Sequence, residues 1–425
     1  MSSPSEARSP IFYGWVIVAV TFLVQFVAVG TTMYSFGVLQ KPMVEDLAGG
    51  SRFGIGFAPS VMFAVGAITA PFVGRWLDRG FIRHVMVIGA GLLSLGFALL
   101  SQVETLWQLL LVFALPLGLG VSLMGHIAGA AVVSNWFTRR RGLALGVSQF
   151  SVSFSGVVAA FATSALVEAL GWRGTVAIFA LLPLLGVAPV VWRFIVDRPE
   201  QLGLRTDGDL PSSEPEAMKA ASIPEAPWSS RQTLSEPLFW LVCAGFAPCF
   251  AITSSMVMIF YSLATDRGFT EGEAAQVMAC LAWTAALGKP GFGWLVDRVP
   301  LRAALLLSTG TQILGLLLIL QASSFAELLL AAIVYGSGFG GVVTLQSASV
   351  AAYWGRDLFG RTLGLMMAVL LPVQILGLPL ANWLFDQTGS YQSALAVFLG
   401  GYALVVLVFW RIPARREAPA PAAAH

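Results

Sequence analysis

The chain has 425 residues, 57% of them hydrophobic and only 11% charged, where a soluble domain carries about 25% charge. So few charges cannot coat a water-facing surface of this size, and a mean hydropathy of +0.80 marks a polytopic membrane protein. The net charge of +2 leaves no basic patch for nucleic acid, and Cys243, Cys249 and Cys280 all lie in apolar stretches, so neither a disulfide framework nor a metal cluster is expected.

A helix of about 20 apolar residues crosses a bilayer, and the chain divides into twelve such stretches. A polar arm (1–13) precedes spans at roughly 14–39, 54–76, 84–103, 106–135, 142–168 and 174–194; the apolar stretch after the arm is too long for a signal-peptide core and lacks a small-residue cleavage site. Residues 195–236, rich in Pro, Ser and Glu with eight acidic against four basic residues, read as a flexible linker. The second set follows at 238–263, 273–296, 301–322, 326–353, 362–385 and 392–411, and an Ala/Pro tail closes the chain. The domains expected are therefore an arm (1–13), a six-helix bundle (14–194), a linker (195–236), a second bundle (237–411) and a disordered tail (412–425). With both termini in the cytoplasm, 19 of the 24 Lys and Arg residues fall on that side, as the positive-inside bias requires. Only Lys41, Arg52, Arg173 and Arg267 lie opposite, and Lys289 falls inside a span.

Two loops echo each other. Gly74-Arg75-Trp76-Leu77-Asp78-Arg79, followed by Arg83, recurs as Gly293-Trp294-Leu295-Val296-Asp297-Arg298, followed by Arg302, an offset of 219. Gly118, Gly120, Trp136 and Gly146 match Gly336, Gly338, Trp354 and Gly364 at an offset of 218. Two independent echoes at nearly one offset argue for duplication of a six-helix unit. Glycine permits close helix approach, and Asp78 and Asp297 can engage nearby arginines or a facing helix N-terminus. Such contacts can break and re-form.

The G-x-x-x-D-R loop with a further basic residue, present in both halves of a 6+6 chain, resembles the signature of the major facilitator superfamily. The resemblance covers residues 11–411 and implies an all-α fold of two six-helix bundles rocking about a midplane substrate site, with the D-R loops locking one access state. Asn135-Trp136-Phe137-Thr138-Arg139-Arg140-Arg141-Gly142-Leu143-Ala144-Leu145-Gly146 resembles the fifth-span signature of monocarboxylate porters. Tyr13-Gly14-Trp15-Val16 and Ser35-Phe36-Gly37-Val38 resemble that group's first-span elements, and Asp197-Arg198-Pro199-Glu200 and Asp386-Gln387-Thr388-Gly389 resemble phrases of its bacterial relatives, including oxalate:formate antiporters. This implies an organic anion as substrate and a bacterial inner membrane as location.

Buried charge carries the functional expectation. Lys289 lies eight residues before Asp297, so about 12 Å along a helix from the cytoplasmic edge. A cation there costs on the order of 3 kcal/mol and usually faces a cavity or a partner. All 22 acidic residues sit in termini, loops or span ends, so an anionic substrate is the expected partner. The resemblance agrees, since the porters carry a carboxylate-binding cation just before a proline, as in Lys289-Pro290. It departs in offering Lys for Arg, Ala285 where some porters have Asp, and Met33 and Tyr34 where some have Lys. No Lys or Arg lies between Thr362 and Phe385, so one cation suits a monoanion. His126 is about 15 Å from the same edge and can change charge between pH 5 and 8, so it can carry a coupling proton or donate to the substrate; His126 and Lys289 are the candidates for proton coupling, and both are candidates for substrate binding. Tyr34 and Tyr335 are the candidate hydrogen-bond donors from the first and tenth spans, with Gln25, Gln149, Ser254, Gln346 and Gln374 as further polar side chains.

Gly336-Ser337-Gly338-Phe339-Gly340-Gly341 satisfies G-x-G-x-x-G but follows no strand, and no Walker loop, zinc spacing or nucleophile elbow occurs. No enzyme activity and no cofactor are expected. The expectation is a monomeric secondary transporter of a small organic monoanion, a monocarboxylate first, by proton symport. Antiport of organic anions, efflux of neutral compounds and a transporter-like sensor remain as alternatives.

Overall fold

A computed structural model of the protein describes residues 12–47, 55, 57–208 and 230–413. The expected arm and tail, and the middle of the linker, lie outside these residues. Every regular element among the described residues is helical, the form in which a lipid-embedded backbone satisfies its own hydrogen bonds.

The first span runs Tyr13–Val29, passes through a π-helical turn at Gly30–Tyr34 and continues as Phe36–Asp46. Ala58–Asp78 and Ile82–Leu100 follow. The fourth span is broken, with its last segment, His126–Trp136, starting after a non-helical Gly125. The fifth and sixth share one long element, Arg141–Leu181, divided at Gly171, whose φ of 68° suits a residue without a Cβ. The second half comprises Pro237–Asp266, Glu271–Val296, Leu301–Gln321, Phe325–Trp354, Phe359–Thr388 and Gln392–Arg411. Gly389, at φ 69°, turns the eleventh into the twelfth as Gly171 turns the fifth into the sixth. Thr105, Thr270 and Ser324 open the fourth, eighth and tenth spans with capping boxes, satisfying helix donors where those helices meet the far interface.

Ten helices among the described residues are long and apolar enough to cross a membrane by composition alone. The eighth helix, which carries Lys289, falls outside that set and packs on the fifth between the two halves.

Both chain ends meet one face. Tyr13 Oη donates to the carbonyl of Phe194 (2.9 Å) and Tyr353 Oη to that of Pro413 (2.7 Å), so the described ends and both flanks of the linker lie together on what is here termed the linker face.

Candidate functional site

The halves meet at two pseudo-equivalent crossings. At one, the second helix packs on the eleventh, and a Cβ at Gly74 would run into the Gly360 carbonyl; at the other, the fifth packs on the eighth, and a Cβ at Gly293 would run into the carbonyl of Gly142. One turn deeper, Gly364 faces Ala70 and Pro71 while Gly146 faces Lys289 and Pro290. Lys289 thus occupies the place that Ala70 holds at the other crossing.

Each crossing is capped by an aspartate. Asp78 accepts from the backbone N–H of Gly360 (2.7 Å) and Arg361 (2.9 Å). Asp297 accepts from the N–H of Gly142 (2.7 Å) and Leu143 (2.9 Å). A carboxylate from one half therefore sits on the N-terminal amides of a helix in the other, where the helix dipole favours an anion. Burial pushes the Asp297 carboxyl above its ordinary value, against the lowering effect of the two N–H donors. The motif's arginines work elsewhere. Arg83 donates from Nε to the Ile195 carbonyl (2.6 Å), and Arg302 donates to that of Ile412 (2.6 and 2.9 Å), so each ties the start of the third helix of its half to the end of the sixth. Arg79 and Arg298 are exposed, and Arg298 lies over the Trp294 ring, 4.0 Å from its centroid.

Lys289 is 8% exposed, and its side chain reaches into the opposite half. Nζ donates to the Gln149 carbonyl (3.2 Å) and to Ser153 Oγ (2.8 Å), one helical turn apart on the fifth helix. Both partners are neutral, and no ion pair to Lys289 occurs among the described residues. The break at Gly125 makes His126 the first residue of a new helical segment. Its Nδ1 meets Gln149 Nε2 (2.5 Å) and its Nε2 meets Ser347 Oγ of the tenth helix (3.2 Å). With the amide donating to Nδ1, the ring proton sits on Nε2 and points at Ser347. Gln149 joins the two centres, its carbonyl holding Lys289 and its side chain holding His126.

The structure thus brings Lys289 and His126 into one cluster with Gln149, Ser153 and Ser347. Tyr34 ends the π-helical turn, is 40% exposed, and lies against Gly156, about one turn beyond Ser153. Tyr335 corrects the expectation. It is fully buried and shares a 3.0 Å hydrogen bond with Tyr402, whose hydroxyl donates to Gln312 Oε1 (2.7 Å). This network knits the ninth, tenth and twelfth helices inside the second half, apart from the cluster. Gln149 stands in the sequence as one polar residue among several; Ser153 and Ser347 give no signal there, being single serines on helices full of small residues.

Two six-helix halves that meet at paired crossings around a buried polar cluster define a multi-pass membrane transporter, not an enzyme. The Major Facilitator Superfamily model matches residues 20–262 and again 249–425, and the chain belongs to that superfamily. It is 25% identical to Monocarboxylate transporter 12-B of Danio rerio over 413 residues, covering 92% of this chain and 85% of the relative. It is 26% identical to an agnestins efflux protein of Paecilomyces divaricatus, over 91% of this chain and 85% of that one. The fucose:proton symporter FucP of E. coli shares the fold, with a TM-score of 0.69 at 16% identity over 96% of this chain and 100% of that one.

Proposed function

We propose that the protein is a secondary transporter of a small organic monoanion, a monocarboxylate, driven by proton symport through alternating access, and that it sits in a bacterial inner membrane with its linker face in the cytoplasm. One observation carries this reading: a buried ammonium at the seam of the halves, held among the described residues by a carbonyl and a hydroxyl alone. An anion is the partner that offsets its desolvation, and the monocarboxylate transporter relative supports a carboxylate. Lys289 binds the carboxylate, His126 with Ser347 and Gln149 receives the substrate's other polar atoms or the coupling proton, and Tyr34 borders the path from the far side. Gly74 with Asp78 and Gly293 with Asp297 lock the linker face shut at the crossings, Arg83 and Arg302 brace the two loops within their own halves, and Arg79 and Arg298 stay at the exposed rim; on this reading the conformation is the one closed towards the cytoplasm.

The test is uptake of a panel of radiolabelled carboxylates into proteoliposomes, with and without an inward proton gradient, for the parent and Lys289→Ala. Gradient-driven accumulation of one acid, lost in the variant, is expected. No movement of any acid, or transport indifferent to the substitution, sinks the reading. The efflux protein among the relatives favours a second reading in net direction, which the same vesicles test with the gradient reversed.

A further inference from the structure

The first residues after the sixth helix do more than connect the halves. Asp197 accepts from the backbone N–H of Ile82 (3.0 Å) and Arg83 (3.1 Å), and its carbonyl accepts from Asn135 Nδ2 (3.0 Å). Ten residues on, Asp207 accepts from the N–H of Thr138 (2.9 Å), Arg139 (2.7 Å) and Arg140 (3.5 Å), and holds a left-handed φ of 59° to do so, a conformation in which a short polar side chain can bond locally. Both anchors are on the first half. Between them, the 3-10 turn Pro199–Leu202 presents two opposite charges to the second half. Arg198 Nη2 meets Asp357 Oδ1 at 2.9 Å, and Glu200 Oε1 meets Arg356 Nη1 at 2.7 Å. Pairing of both signs with adjacent residues of one loop fixes register as well as attraction. That loop, 355–358, precedes the eleventh helix as loop 137–140 precedes the fifth, so the segment grips both of the loops that lead into the aspartate-capped helices.

We propose that residues 197–207 form a strap, anchored in the first half at Asp197 and Asp207, whose Arg198 and Glu200 clasp Arg356 and Asp357 and hold the linker face shut alongside the two aspartate locks. The strap rests on the alternating-access reading, because only a face that opens needs a clasp. Glu200 and Asp357 are exposed and Arg198 and Arg356 partly so, so salt screens their attraction, whereas the partly buried aspartate caps are screened less. The strap therefore makes opening of this face sensitive to ionic strength and to anything that binds the linker.

Spin labels at His84→Cys and Ala303→Cys, exposed pseudo-equivalent positions at the starts of the third and ninth helices, report the separation of the halves by pulsed EPR in nanodiscs, with the native cysteines replaced by alanine. Arg198→Glu with Glu200→Arg is expected to raise the open population about 3- to 10-fold, and adding Arg356→Glu with Asp357→Arg to restore the parent distribution. In the parent, raising salt to about 0.5 M is expected to widen the distribution in the same direction. Asp78→Ala with Asp297→Ala, which removes both N–H acceptors, serves as the positive control. If that control opens the face while the charge-reversed strap and high salt leave it unchanged, the strap is overturned. If the control does not open it either, the alternating-access reading fails and the strap falls with it.

Discussion

At the scale of single residues, the cluster around Lys289 stores its own competition. The ammonium gains a carbonyl and a hydroxyl from the fifth helix, and the carboxylate proposed to bind there would displace at least part of that hold. A hydrogen bond from a charged group is worth about 1.5–3 kcal/mol, so Ser153→Ala weakens the empty-state contact. The apparent KM for the transported acid is expected to fall by about tenfold in initial-rate uptake; an unchanged or higher KM means that Ser153 binds substrate. His126→Gln keeps a hydrogen-bonding side chain and removes the titratable ring. It is expected to abolish gradient-driven accumulation while leaving substrate exchange across the vesicle membrane, and loss of both indicates a structural histidine. Lys289 and His126 were legible in the sequence because an ionisable group in an apolar stretch is costly and therefore conspicuous. Tyr335 misled because a helix number states which helix borders a cavity and not which face does. The carbonyl partners of Arg83 and Arg302 were invisible for a plainer reason: every residue has a carbonyl.

At the scale of helices, the two crossings work by backbone proximity. Gly142 and Gly293 meet with no room for a side chain, so Gly293→Leu holds the fifth and eighth helices apart. Labelling of a cysteine in place of Val296, which packs against Gly142 at the same crossing, is expected to become fast in that variant, and slow labelling equal to the parent would mean that the crossing is not a seam. Asp297 adds a pH term. Burial raises its carboxyl above the ordinary range in the closed form, whereas an open face returns it to water and to its ordinary value. Closing therefore takes up a proton: closure is favoured as pH falls towards the ordinary carboxylate range and is weakened as pH rises through the raised value. Asp297→Asn is expected to flatten this dependence in the same spectroscopic distances, and a slope that persists points to another group. The helix count and the duplicated loops could be read from hydropathy and an offset of residues, but the capping of one half's helices by the other's aspartates could not, because sequence records neither which N–H groups are free nor what faces them.

At the scale of the molecule, the pairing of halves is symmetric in its glycines, prolines and aspartates and asymmetric at Lys289, whose counterpart at the other crossing is Ala70. The two aspartate locks lie on separate crossings with no shared partner, so their free energies should add to within about 0.5 kcal/mol. A double variant whose opening far exceeds the sum of Asp78→Ala and Asp297→Ala would mean that the halves move as one cooperative unit. The eighth helix, finally, bears on how the chain is made. The translocon scores each segment for its own apolarity, and a lysine near the centre of a segment costs roughly 2.5–3.5 kcal/mol on that scale. Residues 271–296, with Lys289, are therefore expected to partition poorly into lipid when they leave the ribosome. The apolar seventh or ninth helix is expected to draw them in, so the surface that carries Lys289 enters the membrane late.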